Sequence, residues 1–277
     1  MKIELAESYG FCFGVKRAIK IAEENRNSAT YGPLIHNANE IARLKNDFNV
    51  ALSENLDSFR AGDTAVIRTH GIPKEELSLL RERRVNVVDA TCPYVTKPQQ
   101  IVEEMSAEGY DIVIFGDESH PEIRGVKSYA SANVYVVNAP DEIEALRLRE
   151  KVATVAQTTR KIEDYRQIVG KLMENHKEVR VFNTICNATF DNQDAVRTLA
   201  QKADVMIVIG GKNSSNTKQL HAIAREYCPE SYHIESAEDL RAEWFAGKNH
   251  CGVSAGASTP DWIIEGVVER IDRLANP

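Results

Sequence analysis

Three of the five cysteines recur in one setting. An alternating apolar run, then a short polar stretch, precedes each: Lys2-Ile3-Glu4-Leu5 before Cys12, Val85-Asn86-Val87-Val88 before Cys92, and Val179-Arg180-Val181-Phe182 before Cys186. Such runs read as strands that deliver a thiol at their C-terminal ends. A helical pattern follows each cysteine, and the positive dipole at a helix start favours a thiolate. Thiolates in one register of a repeated unit suit a metal centre. An iron–sulfur cluster on three of them leaves one iron open to substrate. A structural zinc takes a fourth protein ligand, which His36, His70 or His120 would supply. The plain alternative is three buried thiols used for packing, the reading given to Cys228 and Cys251, which lack the register. An odd cysteine count in a reducing compartment argues against a disulfide framework.

The second set of reactive residues lies in polar loops that open at the ends of apolar strands. Gly210-Gly211-Lys212-Asn213-Ser214-Ser215-Asn216 reads as strand, glycine turn and helix start, where backbone N–H groups, hydroxyls and an amide cradle phosphate. It lacks the glycine spacing and Lys-Ser/Thr pair of a Walker loop, and Ser and Asn also cap helices with no ligand at all. His36, His70 and His120 stand in three such loops; each alone is an ordinary hydrogen-bonded histidine, and together they suit an anion, which an imidazolium binds. Glu122 follows His120 closely. In water it is a solvated carboxylate, whereas in a closed site a raised pKa makes it a proton donor, with Thr158 to orient or relay the proton.

These loops and cysteines repeat. The apolar strands Asp111–Gly116 and Asp204–Gly210, with the shorter Ala29–Gly32, each follow a cysteine-led helix and precede a polar loop. A helical stretch and short strands near Val50, Val134 and Tyr232 come next. A last strand then opens a second loop, at Arg68-Thr69-His70-Gly71, Gln157-Thr158-Thr159 and Ser254-Ala255-Gly256-Ala257-Ser258. The expected fold is α/β: a trefoil of three similar units with small, mostly parallel sheets, covering residues 1–92, 93–185 and 186–277. The strand within 1–11 crosses over to complete the third unit. Ligands of such sheets bind beyond the C-terminal strand ends, so the cysteines and loops are expected to meet there.

Composition bounds the function. With 43% hydrophobic and 27% charged residues the chain is of globular type. Its net charge of −7 and lack of a basic run argue against a nucleic-acid partner. No apolar stretch reaches the roughly 18 residues of a membrane span, and the N-terminus has no signal core. The expected location is the cytoplasm.

Taken together, Gly10-Phe11-Cys12-Phe13-Gly14-Val15, Thr69-His70-Gly71, Asp89-Ala90-Thr91-Cys92-Pro93-Tyr94-Val95-Thr96-Lys97, His120-Pro121-Glu122, Gln157-Thr158-Thr159, Lys212-Asn213-Ser214-Ser215-Asn216 and Ala255-Gly256-Ala257-Ser258 resemble the 4-hydroxy-3-methylbut-2-enyl diphosphate reductases, the LytB family. The resemblance covers nearly the whole chain. It implies a trefoil around a [4Fe–4S] cluster with three cysteine ligands and one open iron. It also implies two-electron reductive dehydroxylation of an allylic diphosphate to isopentenyl and dimethylallyl diphosphate, the last step of the non-mevalonate pathway. Carried over by position, Cys12, Cys92 and Cys186 hold the cluster, and Glu122 is the proton donor with Thr158 at the substrate hydroxyl. His36, His70, His120, Ser214, Ser215, Asn216 and Ser258 grip the diphosphate, with Asn213 and Thr189 as further lining. A ferredoxin- or flavodoxin-like protein supplies electrons. Phe13 departs from the small residue the family often has after its first cysteine. The rival readings are a hydro-lyase, in which the open iron dehydrates without redox chemistry, and a cluster-based redox sensor.

Overall fold

The computed structural model describes residues 1–275. Within them the chain forms three four-stranded sheets, and every strand pair is parallel. The first contains β2 (Ala29–Tyr31), β3 (Ala51–Ser53), β4 (Thr64–Ile67) and β5 (Asn86–Asp89), in the order β3-β2-β4-β5. The second contains β6 (Asp111–Phe115), β7 (Val134–Val137), β8 (Lys151–Ala156) and β9 (Glu178–Val181), in the order β7-β6-β8-β9. The third contains β1 (Lys2–Leu5), β10 (Val205–Ile209), β11 (Ser231–Ile234) and β12 (His250–Ala255), in the order β1-β12-β10-β11. Read outward from β11, that is the same arrangement again, with the first strand of the chain in the place that β5 and β9 fill elsewhere. β1 pairs with β12 from Lys2 opposite His250 to Leu5 opposite Val253. The small parallel sheets expected from the sequence are present, and pairing is parallel throughout the described sheets.

Strand position explains the two kinds of apolar run. β6 and β10 are central and buried along their whole length, as parallel strands covered on both faces must be. β1, β5 and β9 are edge strands, and none of their residues is fully buried. The helices after the cysteines are α1 (Phe13–Glu24), α4 (Pro93–Ala107) and α7 (Asn187–Ala200). Ala18, Val102 and Val196, one from each, are buried. The helices that follow the first polar loop of each repeat are α2 (Ala38–Phe48), α5 (Pro121–Lys127) and α8 (Ser215–Tyr227).

The chain divides into two compact units: one takes Met1–Lys16, Ile35–Ala42 and the chain from Asn187 on, the other Arg17–Leu34 and Arg43–Cys186. The first holds the β1-β12-β10-β11 sheet. One face of that sheet packs Val205, Ile207 and Val253 against Ile263, Ile264, Val267 and Ile271 of a C-terminal helix, α9 (Asp261–Ala275). The other packs Met206 and Val208 against Val196, Leu199, Leu220 and Ile223 of α7 and α8. No helix among the described residues is long and apolar enough to cross a membrane.

Gly252 marks how closely α7 lies on this sheet. A Cβ there would sit 2.3 Å from Met206 Sδ and 2.8 Å from Leu199 Cγ, both mid-side-chain atoms with little room to yield. Gly170, in α6 (Ile162–Asn175), has nothing within 4 Å of a built Cβ. Gly252→Val is expected to lower stability by about 1–3 kcal/mol through overpacking, while Gly170→Ala raises it by up to ~1 kcal/mol by helix propensity. Denaturant melts of the two variants beside the parent check both signs.

Candidate active site

In each sheet the strand order reverses between two neighbours: β2 and β4, β6 and β8, β10 and β12. Ligands of open parallel sheets bind beyond the C-terminal ends of the strands at such a reversal. The candidate residues occupy those ends. His36, His120 and Ser214 stand at equal distance beyond the last residues of β2, β6 and β10 (Tyr31, Phe115 and Ile209). Each lies at a helix start whose backbone N–H is capped by a side chain. Asn37 Oδ1 accepts from Glu40 N at 3.0 Å, His120 Nδ1 from Glu122 N at 3.2 Å, and Ser214 Oγ from Thr217 N at 3.3 Å. Capping leaves the remaining donors of each first turn directed at the space beyond the sheet.

The cysteines are placed by a second repeated device. Each follows an edge strand, and its amide donates to a carbonyl in the loop after the neighbouring strand. Cys12 N bonds Ala257 O at 3.3 Å, Cys92 N bonds Thr69 O at 3.0 Å, and Cys186 N bonds Thr158 O at 3.0 Å. Ala257, Thr69 and Thr158 are equivalent positions past β12, β4 and β8. The approach to two of the cysteines is the same Asx turn: Asp89 Oδ1 accepts from Thr91 N and Asn183 Oδ1 from Ile185 N. Before Cys12 the turn is made by Gly10, at φ +70°. Arg17 also steadies Cys92, donating to Thr91 O at 3.1 Å and, more weakly, to Asp89 O at 3.5 Å. Asp89 opens a motif quoted above, whereas Asn183 and Arg17 do not stand out in the sequence; an Asp or Asn three residues before two of the cysteines is the signal for both Asx turns.

The donor set fits a thiolate-bound cluster. Cys12, Cys92 and Cys186 are partly exposed at strand ends beside helix starts, and none is in a disulfide. Cys228 and Cys251 are buried, and burial pushes the Cys251 thiol up to about 12, so it stays protonated. They are packing residues.

The unit that carries Cys92 and Cys186 also holds Glu122 and Thr158. Glu122, in the first turn of α5, is 1% exposed. Thr158 grips both its oxygens: the backbone N–H donates to Oε1 at 2.8 Å and Oγ1 to Oε2 at 2.7 Å. Burial raises the Glu122 carboxyl to about 7, against the opposing pull of the Thr158 hydrogen bonds and of Arg160. A carboxyl so placed holds its proton near neutrality and can give it up. Gln157, buried beside it, joins the two loops: its Oε1 accepts from Asp117 N at 3.0 Å and its Nε2 donates to Thr159 Oγ1 at 3.3 Å.

His120 and His70 meet edge to face at 5.3 Å. Because His120 Nδ1 accepts from Glu122 N, the proton of the neutral ring belongs on Nε2. With Nδ1 engaged by that cap, Nε2 is the His120 ring atom left to donate to an anion.

The other unit assembles Ser214, Ser215, Asn216, Ser258 and the backbone of His36. Ser258 Oγ donates to His36 O at 3.5 Å. A Cβ on Gly211 would lie 2.4 Å from that same carbonyl, so only glycine admits the His36 segment. Thr217 fits against Gly210 and Gly256, whose built Cβ atoms would come within 2.5 and 2.1 Å of its Oγ1. Asn216 is 6% exposed, and neither its Oδ1 nor its Nδ2 has a partner among the described residues. Two orphaned amide atoms at a buried helix start call for a polar ligand. Asn213 is exposed, and Thr189 is buried in α7. Ser254 and Ala255, read as loop, are the last residues of β12.

The Glu122 pKa depends on Thr158 in a testable way. Thr158→Val removes a hydrogen bond that favours the charged carboxylate, so the pKa rises above about 7. Infrared titration of the carboxyl band reads the change; a fall or no shift contradicts the pairing.

Residues 3–272 match the family model described as LytB protein. The 4-hydroxy-3-methylbut-2-enyl diphosphate reductase of Sulfurimonas denitrificans is 66% identical over 98% of both chains. That of Nitratiruptor is 65% identical over 99% of each. A solved structure of (E)-4-hydroxy-3-methyl-but-2-enyl diphosphate reductase, the terminal enzyme of the non-mevalonate pathway, matches with 47% identity and a TM-score of 0.72, covering 99% of this chain and 100% of its own. The structure of the E-1-hydroxy-2-methyl-but-2-enyl-4-diphosphate reductase from Plasmodium falciparum matches with 26% identity and a TM-score of 0.92, over 98% and 87%. The chain belongs to the LytB protein family.

Proposed function

We propose that this chain is an oxidoreductase that converts (E)-4-hydroxy-3-methylbut-2-enyl diphosphate to isopentenyl and dimethylallyl diphosphate. The observation that carries the chemistry is Glu122, a buried carboxyl raised to about 7 and gripped at both oxygens by Thr158. The reaction takes up two electrons and two protons, breaks one C–O bond and releases the hydroxyl as water. Hydroxide is a poor leaving group, so the bond breaks when its oxygen receives a proton. Glu122 holds that proton, and Thr158 fixes the carboxyl and orients the substrate hydroxyl.

Cys12, Cys92 and Cys186 would hold a [4Fe–4S] cluster with one iron open to substrate. When bound, that cluster supplies electrons and a Lewis-acidic site. A ferredoxin- or flavodoxin-like protein of the cytoplasm delivers the electrons. The diphosphate is bound by His36, His70, His120, Ser214, Ser215, Asn216 and Ser258, and the unpartnered amide of Asn216 supports its place there. Thr189 adds to the lining; Asn213, exposed, is left out. In this reading the units 1–92, 93–185 and 186–277 each contribute one cysteine and two loops to the same reaction.

The test is anaerobic turnover with a viologen reductant, whose potential does not follow pH. Glu122→Gln keeps the side-chain shape and loses the proton; turnover is expected to fall by roughly two to four orders of magnitude, with cluster content intact. In the parent, turnover limited by this proton is full below about 7 and declines as pH rises through it, because the pKa is raised. Glu122→Gln loses that limb. Parent-like turnover in Glu122→Gln, or substrate loss without oxidation of the reductant, overturns the assignment.

A further inference from the structure

We infer that His233 and Glu235 are positioning residues, which set the diphosphate loop Gly210–Asn216 from the opposite side, at the end of edge strand β11. This rests on the reading of that loop given above.

The contacts all lie within one unit. β11 is the outer strand of its sheet, and its end is stitched to the loop by consecutive hydrogen bonds. Gly210 N donates to Ile234 O at 2.8 Å, continuing the ladder. His233 Nε2 then donates to Gly210 O at 2.8 Å. Glu235 Oε1 accepts from Lys212 N at 2.7 Å, while Lys212 Nζ reaches back to His233 O. Glu235 is itself held, since Asp239 Oδ2 accepts from its N–H at 2.8 Å. Asp239 also closes a capping box with Ser236.

Such support matters because of where it acts. Gly210, at φ +151°, and Gly211 form the softest peptide of the loop. In a trans peptide the carbonyl and the following N–H point opposite ways. By fixing Gly210 O toward β11, His233 turns the Gly211 N–H away from the strand. Glu235 fixes the next peptide through Lys212 N. Ser214, Ser215 and Asn216 follow directly, and there the buried Asn216 amide has no partner among the described residues. With both ties cut, the two glycines are free to rotate their peptides, and ligand binding must then order them. Burial, with Lys212 and His221 close by, lowers the His233 pKa, so the ring is a neutral donor through Nε2.

Cutting a tie therefore weakens anion affinity and raises KM without removing a group that touches the substrate. The experiment compares the cluster-loaded His233→Phe, His233→Gln, Glu235→Ala and Glu235→Gln variants with Asn216→Ala. It reads kcat and KM separately, and affinity for inorganic diphosphate by titration calorimetry. His233→Phe and Glu235→Ala are expected to raise KM and weaken diphosphate binding by roughly five- to tenfold, the effect of one lost hydrogen bond, with kcat within about twofold. The two Gln variants, which keep a donor or acceptor at similar reach, recover most of the loss. If Asn216→Ala weakens binding but His233→Phe and Glu235→Ala do not, the positioning role is wrong and the loop assignment stands. If Asn216→Ala also binds like the parent, the loop is not the diphosphate site and both readings fall. Glu235→Ala keeps the test decisive should His233→Phe fail to accumulate as folded protein.

Discussion

The hydrogen bond from each cysteine amide to the loop after the neighbouring strand is the contact on which the proposed chemistry rests. A cysteine just past an edge strand would otherwise sit on a free chain end. The bonds from Cys12 to Ala257, Cys92 to Thr69 and Cys186 to Thr158 extend the parallel ladder beyond the last strand residue. They thereby fix the thiol relative to a loop that carries other candidate groups. The consequence is plainest at Thr158. Its carbonyl receives the Cys186 amide, while its own amide and hydroxyl hold Glu122. One residue therefore places a metal-ligand candidate and a candidate proton donor in fixed relation, and a shift of either disturbs the other.

Electrostatics divides the labour between the repeats although their backbones match. The position held by His36 and His120 is taken by Ser214 in the third repeat, where a hydroxyl caps the helix. In the second repeat the cap is a histidine and the first turn carries a buried carboxyl. Desolvation there exceeds the hydrogen bonds that favour charge, so the carboxyl is raised to about 7. A protonated acid near neutral pH thus follows from burial, with Thr158 limiting how far the shift goes.

Much of this was legible in the sequence because parallel sheets leave a clear pattern. Ile112-Val113-Ile114-Phe115 and Val205-Met206-Ile207-Val208-Ile209 are unbroken apolar runs since both sheet faces are covered. Lys2–Leu5 reads as a strand from its alternation, and it pairs on one side only, with β12. Repeat register and resemblance single out the three cysteines, His36, His70, His120, Glu122 and Thr158 as candidates. What stayed hidden depends on contacts between residues far apart in sequence. Nothing in His120-Pro121-Glu122 says that Glu122 meets Thr158, or that His120 spends Nδ1 on a cap. Asn213 and Asn216 look alike in sequence, yet one is exposed and the other buried, since the helix begins between them. His233 carried no signal, because its role depends on β11 lying at the sheet edge beside Gly210.

The central claim is that the three register cysteines, and not the two buried ones, hold an iron–sulfur cluster. Iron and sulfide content with visible absorption, measured on anaerobically purified protein and on each Cys→Ser variant, tests it most directly. The account predicts a brown parent with a broad band near the blue and about four irons per chain, as a [4Fe–4S] cluster requires. Cluster loss is expected on changing Cys12, Cys92 or Cys186, and retention on changing Cys228 or Cys251. A colourless, zinc-bearing parent, or equal loss in all five variants, would contradict it.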